Sequence, residues 1–190
     1  MTDLEILRGK LRRHAIRKAL YAAYPQPLGT GLIRESLPDD LAADGKTVEN
    51  ALYYLRDRGQ VELVGAASGT VLHQLTPAGL DRVESDDRYG PERAANVRML
   101  RLRVLAALDL SRDQPMGLRL LGLALASDKD LDISEPSLLR ALAYLSHPSV
   151  GLASLAGKDA ATTARITADG IDYITGDGQG YPGIALPLGW

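Results

Sequence analysis

Apolar residues recur at helical spacing through Leu4, Leu7, Leu11, Ala15, Ala19 and Ala23, with Ile16 and Leu20 beside them, which predicts a helix over 3–24. Pro25 and Pro27 end it, because neither can continue the helical ladder. Leu28-Gly29 then opens a second short helix, Thr30–Leu37, stopped by Pro38. Asp44 is a favoured N-cap for a third helix, Gly45–Asp57, whose apolar positions Val48, Ala51, Leu52 and Leu55 form one stripe. Gly59 follows in the place expected of a helix C-terminus. Two β-rich runs, Val61–Val64 and Val71–Leu75, flank a small-residue turn from Gly65 to Gly69 and predict a hairpin. A fourth helix follows, entered through Leu75-Thr76-Pro77-Ala78-Gly79-Leu80.

The same programme then returns. Ser85-Asp86-Asp87-Arg88-Tyr89-Gly90-Pro91 is polar, ends in Gly-Pro and marks a linker. Val97, Leu100, Val104, Leu105 and Leu108 stripe the next helix, and Gln114-Pro115-Met116-Gly117 echoes Gln26-Pro27-Leu28-Gly29. Ser134 stands where Asp44 stood, and Ala141-Leu142-Ala143-Tyr144-Leu145 mirrors Ala51-Leu52-Tyr53-Tyr54-Leu55. Val150–Leu155 and Thr162–Ile166 predict a second hairpin around Ala156-Gly157-Lys158-Asp159. Ile166-Thr167-Ala168-Asp169-Gly170-Ile171-Asp172 repeats the Leu75–Asp81 step. The offset between copies drifts from 88 (Gln26 to Gln114) to 91 (Thr76 to Thr167), so the length changes fall in loops, where a duplicated unit tolerates them.

Three helices, a hairpin and a closing helix follow the order of a winged helix, and each half resembles a winged helix-turn-helix domain. Leu75-Thr76-Pro77-Ala78-Gly79-Leu80 is similar to the leucine-threonine-x-x-glycine step after the wing in MarR- and PadR-type regulators. Ile166–Tyr173 is similar to the same step in small phage-encoded winged-helix proteins. The expected fold is mainly α with small β-hairpins (α+β), as two winged-helix domains in tandem from an internal duplication. Domain 1 spans 1–87 and domain 2 spans 88–176, with 177–190 as an extended apolar tail.

Composition narrows the function. Apolar residues make up 45% of the chain, with no Phe and a single Trp, so the expected core is aliphatic. The net charge of -2 gives no global attraction to nucleic acid, so any such attraction must come from a local patch. The absence of cysteine excludes disulfides and thiolate chemistry. The N-terminus lacks the form of a signal peptide and no apolar run reaches membrane-spanning length, so a cytoplasmic protein without membrane partners is expected.

Nothing in the spacing points to an enzyme, a cofactor or a metal. His14, His73 and His147 fall far apart, and His73 alternates in phase with Val71 and Leu75. Asp128, Asp130 and Asp132 begin like a calcium loop but lack its later glycine and bidentate Glu. The glycine-rich run 176–180 lacks the Lys-Ser/Thr of a phosphate loop and opens no helix.

In a winged helix the third helix is the candidate reader of the major groove. Helical geometry turns Lys46, Thr47, Asn50 and Tyr54 outward in domain 1, and Pro136, Ser137, Arg140 and Tyr144 in domain 2. Asn can read adenine and Arg guanine, while Lys, Thr and Tyr can hold phosphate. The first helix adds Arg8, Lys10, Arg12, Arg13, Arg17 and Lys18 without an intervening acid. Six like charges so close repel, and an anionic partner would relieve them.

The tail carries Ile184, Leu186, Leu188 and Trp190 at alternate positions, the pattern of one buried face of an extended segment. It is expected to dock into a groove of its own chain or onto a partner subunit. Two functions follow. One is a DNA-binding protein, a transcriptional regulator or a phage or mobile-element accessory factor, whose two wings address adjacent half-sites on double-stranded DNA. The other is a non-enzymatic adaptor that binds protein, similar to the kleisin-associated tandem winged-helix proteins of chromosome segregation.

Overall fold

The structure, a computed structural model, describes residues 2–42, 45–67, 69–86, 90–157 and 161–187. It is a mixed α and β protein that divides into two compact units, Met1–Val83 and Glu84–Trp190. Among the described residues there are nine helices and two three-stranded antiparallel sheets.

Unit 1 begins with α1 (Asp3–Ala23), capped reciprocally: Thr2 Oγ1 accepts from the Glu5 N–H, and the Thr2 N–H donates to Glu5 Oε2. Of its apolar positions only Ile16 and Leu20 are fully buried, whereas Leu4, Leu7 and Leu11 are exposed. The stripe therefore packs only along its C-terminal half. Leu28–Gly29 is also a short strand, β1, paired with His73 and Leu72, and Gly29 then stands as the N-cap of the next helix. Then come α2 (Thr30–Glu35), the four-residue α3 (Asp39–Ala42) and α4 (Gly45–Asp57). Val48, Ala51, Leu52 and Leu55 are buried along α4, as their spacing predicts. Asp44, the expected N-cap, lies outside the described residues.

The hairpin strands β2 (Val61–Ala67) and β3 (Thr70–Leu75) complete a sheet of order β1-β3-β2. Gly65, expected in the turn, instead sits in β2 at a bulge, where its φ of 141° suits a residue without Cβ. Then α5 (Pro77–Glu84) closes the unit.

Among the described residues unit 2 repeats this order without a counterpart of α3. It comprises α6 (Pro91–Leu110), β4 (Met116–Gly117), α7 (Leu118–Ala124), α8 (Glu135–Leu145), β5 (Ala153–Ala156), β6 (Thr163–Ile166) and α9 (Ala168–Thr175). Its sheet order is β4-β6-β5. Position for position that matches unit 1, including a two-residue strand beside the hairpin. Leu100, Val104, Leu105 and Leu108 of α6 pack into a core with Leu138, Leu142 and Leu145 of α8. The core is not purely aliphatic: among the described residues Tyr144 and Tyr173 are its largest fully buried side chains.

The strand-to-helix step is built from the same atoms twice. Thr76 Oγ1 accepts from the Gly79 N–H at 3.1 Å and donates to the Gly59 carbonyl at 2.6 Å. Thr167 Oγ1 accepts from the Gly170 N–H at 3.1 Å and donates to the Gly151 carbonyl at 2.7 Å. The Thr76 N–H reaches the Gln60 carbonyl and the Thr167 N–H the Leu152 carbonyl. A Cβ at Gly79 would collide with that Gln60 oxygen, and one at Gly170 with the Leu152 oxygen. The shared Gly thus lets the closing helix approach the preceding backbone.

Residues 177–187 fold back onto unit 2. The Ala185 N–H donates to the Arg98 carbonyl, Tyr173 Oη to the Ala185 carbonyl and Tyr181 Oη to the Val150 carbonyl. Ile184 is buried but Leu186 is 58% exposed, so the two do not share the one buried face that their alternate spacing predicts. Leu188 and Trp190 lie outside the described residues.

Candidate nucleic-acid interface and a basic cleft

The buried stripe of α4 turns Lys46, Glu49, Asn50 and Tyr53 to solvent. Lys46, Asn50 and Tyr53 lie at i, i+4 and i+7, so they line one face. Thr47 is half-buried beside them. Arg34, on α2, brings its guanidinium to 3.9 Å from where a Cβ of Gly45 would stand, at the first residue of α4. Arg34 and Tyr53 are absent from the sequence-derived set. The spacing from Asn50 could have found Tyr53, but Arg34 is placed by the packing of α2 against α4, which spacing does not reveal.

Tyr54 sits on a different face. Its ring lies under the guanidinium of Arg13 (4.4 Å to the ring centre) and near that of Arg58 (5.4 Å), against α1. Guanidiniums are drawn to an aromatic face by its quadrupole and remain able to donate hydrogen bonds at their edges. Arg13 and Arg58 help to form a cleft of about 570 Å³. Lys10, Arg17, Gln60 and Arg82 complete its walls, and among the described residues no carboxylate lines it. Arg17 donates to Gln60 Oε1 at 3.1 Å.

The basic residues of α1 therefore do not form one strip. Arg13 and Arg17 face the cleft, while Arg12 turns toward α3 and donates to the Leu41 carbonyl at 2.8 Å. That bond supplies an acceptor at the end of a four-residue helix with its own donor.

Unit 2 keeps a guanidinium over the matching tyrosine but differs around it. Ser137 donates to Asp132 Oδ2 at 2.6 Å, and the Ser134 N–H donates to Asp132 Oδ1 at 3.1 Å. These bonds, with the charge of Arg140, hold the Asp132 carboxyl below its ordinary range, the Ser137 bond most of all. Ser134 occupies the N-cap position without capping through its side chain, its hydroxyl going to Ser137 instead. The N-terminal end of α8 thus carries a carboxylate, and Ser137 and Arg140 face it. Tyr144, predicted to point outward, is 1% exposed. The Arg101 guanidinium covers its ring at 3.8 Å, and both oxygens of Glu84 hold that guanidinium.

Ile184, expected to dock into a groove of its own chain or onto a partner subunit, is buried inside unit 2, and Leu186 is the exposed residue of the pair. Among the described residues no group of three or more His, Asp or Glu could hold a metal ion, and no helix is long and apolar enough to cross a membrane. Searches against protein-family models, curated proteins and solved structures found no match to this chain.

Proposed function

We propose that the chain is a DNA-binding protein of tandem winged-helix build in which unit 1 reads the duplex and unit 2 does not. The observation that carries this reading is the solvent face of α4, where Lys46, Asn50 and Tyr53 stand in one line with Arg34 at the helix N-terminus. In a helix laid into a major groove, Asn50 is the residue able to pair with a base edge, and Arg34 and Lys46 would hold flanking phosphates. The N-terminus of α4 adds its own partial positive charge. The matching element order and sheet order of the two units support the tandem winged-helix build.

A gel-shift series on duplex DNA at varied salt tests it. With two phosphates neutralised, the logarithm of affinity falls with the logarithm of salt at a slope of about -2. Asn50→Ala relaxes sequence preference, and Lys46→Ala weakens binding to every sequence alike. Absence of retardation by micromolar protein at low salt would end this reading.

A second reading, a protein-binding adaptor, is favoured by one observation: Asp132 stands at the helix end that would have to approach phosphate in unit 2. Retardation of DNA by unit 1 residues alone would leave unit 2 free for that role.

A further inference from the structure

The basic cleft of unit 1 has a counterpart in unit 2, and that counterpart is full. Arg13 over Tyr54 corresponds to Arg101 over Tyr144: the tyrosines share one place in the matching runs 51–55 and 141–145, and the arginines share one offset along the first helices. In unit 2 the guanidinium takes a carboxylate and a main-chain carbonyl. Glu84 binds it through both oxygens, at 2.8 and 2.6 Å, and the carbonyl of Gly183 accepts at 2.8 Å. Gly183 lies in a turn of the segment 177–187, closed by the Ile184 N–H on the Tyr181 carbonyl, and the same turn brings Ile184 into the core.

The walls differ in a consistent direction. Leu105 of α6 corresponds to Arg17, Leu152 before β5 to Gln60, and Tyr173 of α9 to Arg82. Apolar walls in unit 2 suit the apolar segment that fills them. In unit 1 the same three positions are polar or cationic, Arg58 is added, Lys10 stands where unit 2 has Arg98, and among the described residues no carboxylate lines the space.

We propose that the unit 1 cleft is the docking site for an acidic segment of a partner protein, with one carboxylate on Arg13 in the role that Glu84 plays on Arg101. Bidentate pairing to a guanidinium backed by an aromatic ring favours a planar carboxylate, and the cations around it favour further acidic residues on the same segment. The site is distinct from the solvent face of α4. Arg58 follows the C-terminal end of that helix, about 18 Å along the axis from Lys46 at a rise of 1.5 Å per residue.

The test is fluorescence anisotropy of a labelled peptide alternating glutamate and alanine, titrated with the full chain, beside its glutamine counterpart. The glutamate peptide should bind and the glutamine peptide should not. Arg13→Gln should weaken binding about tenfold, as for loss of a charge-assisted hydrogen bond. Arg58→Glu, at an exposed position where folding is undisturbed, should weaken it at least as much, while Lys46→Glu leaves it unchanged. Equal binding of both peptides, or equal losses from Arg58→Glu and Lys46→Glu, would overturn the proposal by making the attraction diffuse. So would loss of duplex DNA binding in Arg58→Glu with no binding of the glutamate peptide, which would make the cleft a phosphate site. Failure of the DNA reading shows instead in the gel shift of the unaltered chain and leaves the peptide result standing.

Discussion

The Arg101 guanidinium lies 3.8 Å above the Tyr144 ring in the interior of unit 2, and Glu84 binds it there with both carboxylate oxygens. The side chains of the ion pair are 3% and 0% exposed, so neither charge retains water to fall back on. Removing one partner from such a pair costs more than the pair contributes, because the other charge stays buried. Glu84→Gln keeps the shape and is expected to destabilise unit 2 by about 3 kcal/mol. Hydrogen exchange resolved along the chain measures this: amides of α6 and α8 lose protection, and those of α4 keep theirs. Unchanged exchange in α6 would show that the pair carries no weight.

The segment after α9 is expected to be part of the unit 2 fold. Truncation after Gly176 removes Ile184 from the core and the Gly183 carbonyl from Arg101. It also removes the acceptor of Tyr173 Oη. Loss of one large aliphatic side chain from a core, with one buried and one part-buried hydrogen bond, predicts a cost of about 3 kcal/mol or more. The thermal transition of unit 2 should fall while that of unit 1 stays in place. Identical melting of the truncated and full chains would mean that the contacts of residues 177–187 are incidental.

The glycine of the strand-to-helix step allows a paired comparison. Gly79→Ala and Gly170→Ala each drive a methyl into a backbone carbonyl, which cannot give way as a side chain can. Each should cost its own unit about 2 kcal/mol, in the range of overpacked cores. Gly180→Ala meets open space and should stay within about 0.5 kcal/mol of the parent. Urea unfolding of the three variants decides it, and a neutral Gly170→Ala would contradict the close approach.

Much of this scaffold was legible because its signals are local. The stripe Val48, Ala51, Leu52, Leu55 and the following Gly59 place α4 at its observed bounds. The repeated Thr and Gly place both closing steps. What escaped depends on partners far away in the chain. Leu28–Gly29 is a strand only because His73 and Leu72 pair with it, and two residues carry no periodicity. Tyr54 and Tyr144 hold the same helical position, yet one is 40% exposed and the other 1%. The difference lies in Glu84 and in the segment around Gly183, which no pattern along α8 reveals. The cluster of arginines on α1 was legible as charge, but not its division between Leu41 and the cleft.

His73 gives unit 1 a dependence on pH. It is 6% exposed on β3, with Nε2 3.2 Å from Thr30 Oγ1. Burial, and then the charge of Arg56, hold its pKa below the ordinary 6.5. Above that value the ring is neutral in the folded and unfolded chain alike, and it imposes no penalty. As pH falls below 6.5 the unfolded chain takes up a proton that the folded unit resists, so stability declines until the folded pKa is reached. The melting temperature of unit 1 should therefore be flat from pH 8 to about 6.5 and fall toward pH 5, before most carboxylates titrate. His73→Leu removes the titrating group and should flatten that decline, with the melting of unit 2 as internal reference. A decline of equal size in His73→Leu would place the proton uptake elsewhere.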